Sequence, residues 1–429
     1  MGARTPRRAR PAPTDLLVEM VELSRRFGAD PEFVRAGGGN SSAKADGVMY
    51  IKPSGVSLAT LTVNSLIALA IEPLLDVLEG GAAGASALGS DEVLRIADHA
   101  RLSPADGRRP SVELLFHALL SEPIVLHTHP TTINTLTCSV GGGELAEQIL
   151  GDRALWIPYT DPGLPLARAI RDERSAYALR TGRRAPRAIL LQNHGLIVDG
   201  ETAAEIEDVT LEIVARIAEH ASGQPAFPWA AVEPIEAGRA GGIVDVLRPT
   251  LGRLLAAGGR PRAVVFDGSP LAAGAAGSEF GRRFARGGPL TPDQIVYAGS
   301  WPLVVETAPA DGDAATAALE AAMVERATRD VDPPVIVLVA GLGLFAVGDT
   351  EQQADTARDL YLDATRIASG AHRLGGLRPL APAERQFIER WEAEAYRLQV
   401  ASWTSSPGPK RGPGAAKSPA HPRSPQRRP

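Results

Sequence analysis

Residues 189–202 read Ile-Leu-Leu-Gln-Asn-His-Gly-Leu-Ile-Val-Asp-Gly-Glu-Thr, and residues 337–350 read Val-Leu-Val-Ala-Gly-Leu-Gly-Leu-Phe-Ala-Val-Gly-Asp-Thr. Aligned end to end, each is an apolar run, a glycine turn, a second apolar run and a Gly-acid-Thr helix start. A long helical segment follows both. A match of this length predicts that the second half of the chain repeats the first. A fainter overlay sets residues 123–129 on residues 294–300. Under the two overlays His127, His129 and His194 fall opposite Ala298, Ser300 and Leu342. The second copy is expected to keep the scaffold and lose the histidines.

The other elements of the first copy extend outward from this stretch. Thr14-Asp15 opens a helix with Leu16/Met20 and Leu17/Val21 on its buried side, stopped by Gly28. Short β-like runs at 41–44 and 48–52 join through Ala45-Asp46-Gly47, a hairpin signal. Residues 112–120 read as a helix, 124–129 and 188–192 as strands, and 202–221 as a long helix. The proline-containing stretch 224–234 marks a linker. This reading divides the chain into a disordered basic N-terminus (1–13), a metal-binding domain (14–223), a linker (224–238), a second domain without metal ligands (239–403) and a disordered, basic, Pro-rich tail (404–429).

Composition excludes several classes of function. A chain of 429 residues is too long for one ordinary core, and its 44% hydrophobic residues exclude wholesale disorder. One cysteine, Cys138, excludes a disulfide framework and any Cys-rich metal site. A formal net charge of −5 argues against nucleic acid as the main partner. The longest apolar stretch, 335–347, is too short and too glycine-broken to cross a bilayer. Glu19 and Glu22 interrupt any signal-peptide core near the Arg-rich start. The expected location is cytoplasmic, with no membrane partner.

Three of the eight histidines occupy telling places. In Leu126-His127-Thr128-His129 an i,i+2 pair on a strand projects both imidazoles from one face, a two-point chelate for Zn²⁺ or a similar ion. Taken alone, such a pair also suits a solvated strand face or a packed core. His194 follows a second apolar strand at a sharp turn, and three histidines at strand ends form a candidate metal set. Glu113, at a helix start, either satisfies the helix dipole or carries a proton beside the ion. His117, one turn later, reads as a packed neighbour of the site. The small-residue loop Ala36-Gly37-Gly38-Gly39-Asn40-Ser41-Ser42 offers backbone N–H groups to an oxyanion, although three glycines also suit a flexible turn. Lys52-Pro53-Ser54-Gly55 and Ser111 add donors, while strand lysines such as Lys44 and Lys52 normally point into solvent. The spacing is not that of a nucleotide P-loop.

Gly38-Gly39-Asn40-Ser41-Ser42, Ile51-Lys52-Pro53-Ser54-Gly55, Pro110-Ser111-Val112-Glu113, His127-Thr128-His129-Pro130 and Asn193-His194-Gly195 occur in an order that resembles the class II aldolase/adducin family. With Gly341-Leu342-Gly343 and Phe387-Ile388-Glu389-Arg390-Trp391, the longer chain resembles the aldolase portion of bifunctional rhamnulose-phosphate aldolase/dehydrogenase proteins. A basic tail stands here where those proteins carry a dehydrogenase portion. The resemblance implies an α/β, αβα class II aldolase-like fold with a central, mainly antiparallel sheet, here duplicated with a degenerate second copy. It implies a divalent metal, most often Zn²⁺, on His127, His129 and His194, and Glu113 as the catalytic acid/base. It implies a phosphate pocket at Gly39, Asn40, Ser54, Gly55 and Ser111, where Val112 departs from the family's second serine. The implied activity is aldehyde-lyase cleavage or formation of a C–C bond in a ketose phosphate or related sugar phosphate, through a metal-stabilised enediolate, in a homo-oligomer. The alternatives are epimerase, decarboxylase or dehydratase chemistry on the same scaffold, or a non-catalytic adducin-like interaction module.

Overall fold

Short extended runs, alternately buried in the outer strands and buried throughout in the central ones, build the first sheet. A computed structural model describes residues 13–79, 90–102, 108–223, 235–329 and 331–391. The tail 404–429, the stretch 224–234 and all of 1–13 except Pro13 lie outside the described residues. Seven strands run β1 (Asn40–Ala45), β2 (Val48–Ile51), β3 (Ile67–Ala70), β4 (Ile124–Thr128), β5 (Ala154–Ile157), β6 (Ala188–Leu191) and β7 (Gly195–Gly200), in the spatial order β3-β2-β1-β4-β7-β6-β5. Every neighbouring pair is antiparallel except β5 with β6.

Helices cover both faces because successive strand side chains point to opposite sides. On one face Met49, Ile51, Val125, Ile189 and Ile197 share a core with α2 (Glu72–Glu79), α3 (Ser90–Ala100), α4 (Leu114–Leu119) and α7 (Leu164–Thr181). On the other, Ala43, Ile124, Leu126, Leu190 and Val198 pack against α1 (Pro13–Ala29), α5 (Thr131–Thr137), α6 (Gly142–Leu150) and α8 (Ala203–Ser222). Strand faces buried on both sides account for the near-continuous apolar runs at 188–191 and 124–126.

The second domain repeats one half of this plan. Its strands β8 (Ala263–Asp267), β9 (Leu303–Val305), β10 (Ile336–Val339) and β11 (Gly343–Gly348) lie in the order β8-β11-β10-β9, antiparallel except for β9 with β10. That is the order and sense of β4-β7-β6-β5. Helices α9 (Ala237–Leu254) and α12 (Gly312–Ala327) cover one face; α10 (Pro270–Gly277), α11 (Glu279–Gly287) and α13 (Glu351–Arg373) cover the other. A last helix, α14 (Pro382–Arg390), follows.

The overlay of 189–202 on 337–350 coincides with the elements: β6 matches β10, β7 matches β11, and the caps Thr202 and Thr350 each accept a hydrogen bond from the third residue along. The fainter overlay does not. Residues Gln294–Ala298 form a single π-helical turn, and the counterpart of β4 is β8. Ile124 pairs with Gly200 and Ala263 with Gly348, so His127 corresponds to Phe266 and His129 to Gly268. The second copy still lacks all three histidines, with Phe266, Gly268 and Leu342 in their places. Helix α9 also begins inside the expected linker, with Glu236 accepting from the N–H groups of Gly238 and Arg239.

Lys44, on β1, is buried rather than solvated, and its Nζ donates to the His117 carbonyl at 2.8 Å. Burial lowers its pKa from 10.5 to about 7, against the pull of Asp199 and Glu122. The unfolded chain therefore binds the extra proton between pH 7 and 10.5, so stability at this site rises with pH across that window. A shift of that size is on the order of 5 kcal/mol between the extremes. Lys44→Met removes this slope: relative to the variant, the wild type is expected to gain several kcal/mol in urea titrations between pH 7 and pH 10. Parallel stability curves for the two proteins would show that Lys44 keeps an ordinary pKa.

Candidate functional site

Strand β4 runs between β1 and β7, and its register sets His127 opposite Asn40 on one side and Ile197 on the other. His127 is fully buried and donates through Nδ1 to the Leu196 carbonyl at 2.9 Å, which leaves Nε2 as the free nitrogen. His129 lies one residue beyond the strand and donates through Nδ1 to Asp293 Oδ2 at 2.5 Å. His194 occupies the β6–β7 turn, where Asn193 takes φ +56° and Asn134 Nδ2 donates to the His194 carbonyl at 3.3 Å. The three rings have centroids 4.7, 4.9 and 5.1 Å apart, and one nitrogen from each falls within 4.8 Å of the others. Burial lowers the His127 pKa to about 3, so its imidazole is neutral near pH 7.

Glu113 faces this set from the N-cap of α4, one residue earlier than the helical first turn expected. Its Oε1 lies 3.2 Å from His194 Nε2 and its Oε2 lies 3.6 Å from His127 Nε2. Oε2 also accepts from Asn40 Nδ2 at 2.6 Å. Burial pushes this carboxyl up, but the surrounding imidazoles outweigh it and hold the group well below the usual carboxylate range. His117 stands behind, its Nδ1 2.8 Å from Ser42 Oγ and its Nε2 against Asn40 Oδ1, so it braces Asn40 and does not join the three imidazoles.

A narrow cleft lies over these groups. Gly39, Asn40, Ser54, Gly55 and Ser111 all line it, together with Glu113, His129 and His194. Gly39 has φ +64°, and a Cβ there would sit 2.6 Å from the His127 carbonyl oxygen, so only glycine lets the loop cross β4 this closely. Lys52 also lines the cleft; contrary to the expectation for strand lysines it is buried, with Nζ donating to the Val56 carbonyl at 2.6 Å.

Two family descriptions account for most of the chain. Residues 18–219 match the class II aldolase and adducin N-terminal domain, and residues 240–398 match the aldolase class II second domain. The chain belongs to the class II aldolase/adducin family. It is 24% identical over 415 residues to an uncharacterized oxidoreductase of Bacillus subtilis, YuxG, covering 89% of this chain and 58% of that protein's length. It is 28% identical over 209 residues to a 3-oxo-tetronate 4-phosphate decarboxylase of Haemophilus influenzae, covering 45% of this chain and 81% of the relative. The solved N-terminal class II aldolase domain of a Thermoplasma acidophilum protein superposes with a TM-score of 0.41 at 25% identity, covering 51% of this chain and 99% of that one.

Class II aldolases depend on a divalent metal, and the donor set here fits one. With Nδ1 of His127 and of His129 both donating, their Nε2 atoms carry lone pairs, yet these two atoms lie 3.0 Å apart. Two desolvated lone pairs at that separation repel unless a shared proton or a metal ion lies between or beside them. Three imidazole nitrogens with an adjacent carboxylate are the ligand types borderline-soft divalent ions prefer. No helix among the described residues is long and apolar enough to cross a membrane.

The sequence reading missed what the second domain brings. Pro292 and Trp391 line the cleft, and Asp293 holds His129. Trp391 stood in a terminal motif without a role, and Thr291-Pro292-Asp293 resembles an ordinary helix start. Elemental analysis of the purified chain, kept from chelators, is expected to find about one divalent ion per chain. His127→Gln is expected to lose metal affinity by more than the ~10–100-fold typical of a neighbouring residue; undiminished metal in that variant removes His127 from the set.

Proposed function

We propose that this protein is a metal-dependent aldolase that cleaves or forms a C–C bond in a ketose phosphate or a related sugar phosphate. The observation that carries the reading is the convergence of His127, His129 and His194 with Glu113 at the base of a cleft rimmed by small, hydrogen-bonding residues. In this reading the three histidines hold a divalent ion, most often zinc in this family, and the ion supplies Lewis-acid stabilisation of the enediolate charge left by C–C cleavage. Gly39, Asn40, Ser54, Gly55 and Ser111 bind the phosphate through hydroxyl, amide and backbone donors, and buried Lys52 lines the same wall. Holding the phosphate fixes the scissile bond over Glu113, which lowers the entropic part of the barrier. Glu113 moves the proton at the enediolate carbon through Oε1, the oxygen that Asn40 does not hold. The Asn40 amide grips its Oε2 and keeps the carboxylate from swinging away.

A second reading, decarboxylation of a phosphorylated 3-oxo acid, is favoured by the similarity to the Haemophilus influenzae decarboxylase. Both reactions leave an electron pair beside a carbonyl and call on the same stabilisation, so they differ in the bond that breaks. A panel of phosphorylated ketoses and phosphorylated 3-oxo acids, scored for aldehyde and for CO₂, separates them: aldehyde release is expected. Glu113→Gln is expected to keep its metal and lose ~10²–10⁴ of turnover. Full activity in that variant would remove Glu113 from the proton transfer.

A further inference from the structure

The two copies part company at one connection. In the first domain α6 leads to β5 through three residues, 151–153; in the second, α11 leads to β9 through fifteen, 288–302. The longer connection does not pack only against its own domain. The Leu290 carbonyl accepts from Asn193 Nδ2 at 2.9 Å, beside His194. The Tyr297 hydroxyl accepts from the Gly37 N–H at 3.3 Å, in the glycine loop. Asp293 Oδ2 accepts from His129 Nδ1 at 2.5 Å. The segment is braced internally, with Leu290 N donating to Gln294 Oε1 at 2.9 Å, and it contains the π-helical turn Gln294–Ala298. π-helical turns are uncommon and gather at functional sites.

We propose that the second domain completes the metal site of the first, with Asp293 as the positioning carboxylate that fixes the ring of His129. This inference rests on the metal-centre reading above. Asp293 is buried and meets the one His129 nitrogen that faces away from His127, so it sets the tautomer and aims Nε2 at the shared point. A carboxylate behind a ligating imidazole raises the ring's basicity and its hold on the ion. The approach is close: a Cβ on Gly38 would lie 2.9 Å from Asp293 Oδ2 and 3.3 Å from His129 Nδ1. A side chain at position 38 would therefore collide with the carboxylate and the ring, and glycine there leaves room for the pair.

The test uses the full chain, stripped and reloaded with Zn²⁺ or Co²⁺. Asp293→Asn is expected to raise the zinc Kd ~10–100-fold in competition with a chromophoric chelator. It is also expected to shift the visible bands of the Co²⁺ form. Tyr297→Phe removes a hydrogen bond from the same turn without touching His129, and its zinc Kd should stay at the wild-type value. An unchanged Kd and Co²⁺ spectrum in Asp293→Asn overturns the inference, and so does an equal loss in Tyr297→Phe, which would point to general loosening between the domains. Should Asp293→Asn fail to fold, ¹⁵N-histidine spectra of the zinc-loaded wild type decide: His129 must carry its proton on Nδ1, at low field, and an unprotonated Nδ1 overturns the assignment. A wild type that holds no metal defeats the metal-centre reading itself, a result distinct from a wild type that binds zinc and variants that match it.

Discussion

The site depends on β4 being pinned between β1 and β7 in one register. That register seats His127 where its Nδ1 can only meet the Leu196 carbonyl, and so turns Nε2 toward His129. It also sets Asn40 beside His127, within reach of both Glu113 and His117. A slip of one residue would send His127 to the opposite face of the sheet, among the side chains around Leu126. The burial of both faces forbids that slip, so the same apolar packing that stabilises the sheet also specifies which atoms converge.

The duplicated half shows what the fold does when that convergence is given up. Its four strands keep the order and sense of their counterparts, yet Phe266, Gly268 and Leu342 replace the histidines. Phe266 packs on Phe345 with ring centroids 4.8 Å apart. Buried imidazoles without an ion would leave lone pairs unsatisfied at a cost of about 1–3 kcal/mol each. Apolar replacements remove that cost and add packing.

Much of this was legible because the chemistry lies in short, dense motifs. His127, His129, His194 and Glu113 are each marked by neighbours two or three residues away, and 337–350 copies 189–202 over two strands and a turn. The overlay of 123–129 on 294–300 failed because a run of four apolar residues, 295–298, fits a strand or a helical turn equally well. The true counterpart at 263–267 has no histidine to draw attention to it. The burial of Lys44 and Lys52 was illegible for a different reason: only the helices and loops packed over β1 and the turn after β2 remove those amines from water. Asp293 is 164 residues from the histidine it holds, and no spacing rule spans that distance.

The docking of the two domains is what makes such a remote contact dependable. Helix α13 lies against α5 so closely that a Cβ on Gly370 would fall 2.3 Å from Thr135 Cγ2. From that helix Asp363 accepts from Thr131 Oγ1 at 2.7 Å and pairs with Arg35 Nε at 3.1 Å. Thr131 follows His129 by two residues, and Arg35 precedes Gly37 by two. One carboxylate of the second domain thus braces the chain just after the histidine and just before the glycine loop, while the 288–302 connection touches both from the other side. Reacting groups lose effectiveness steeply with displacements of about 1 Å. A half without ligands of its own thus fixes the geometry of the other half from outside it.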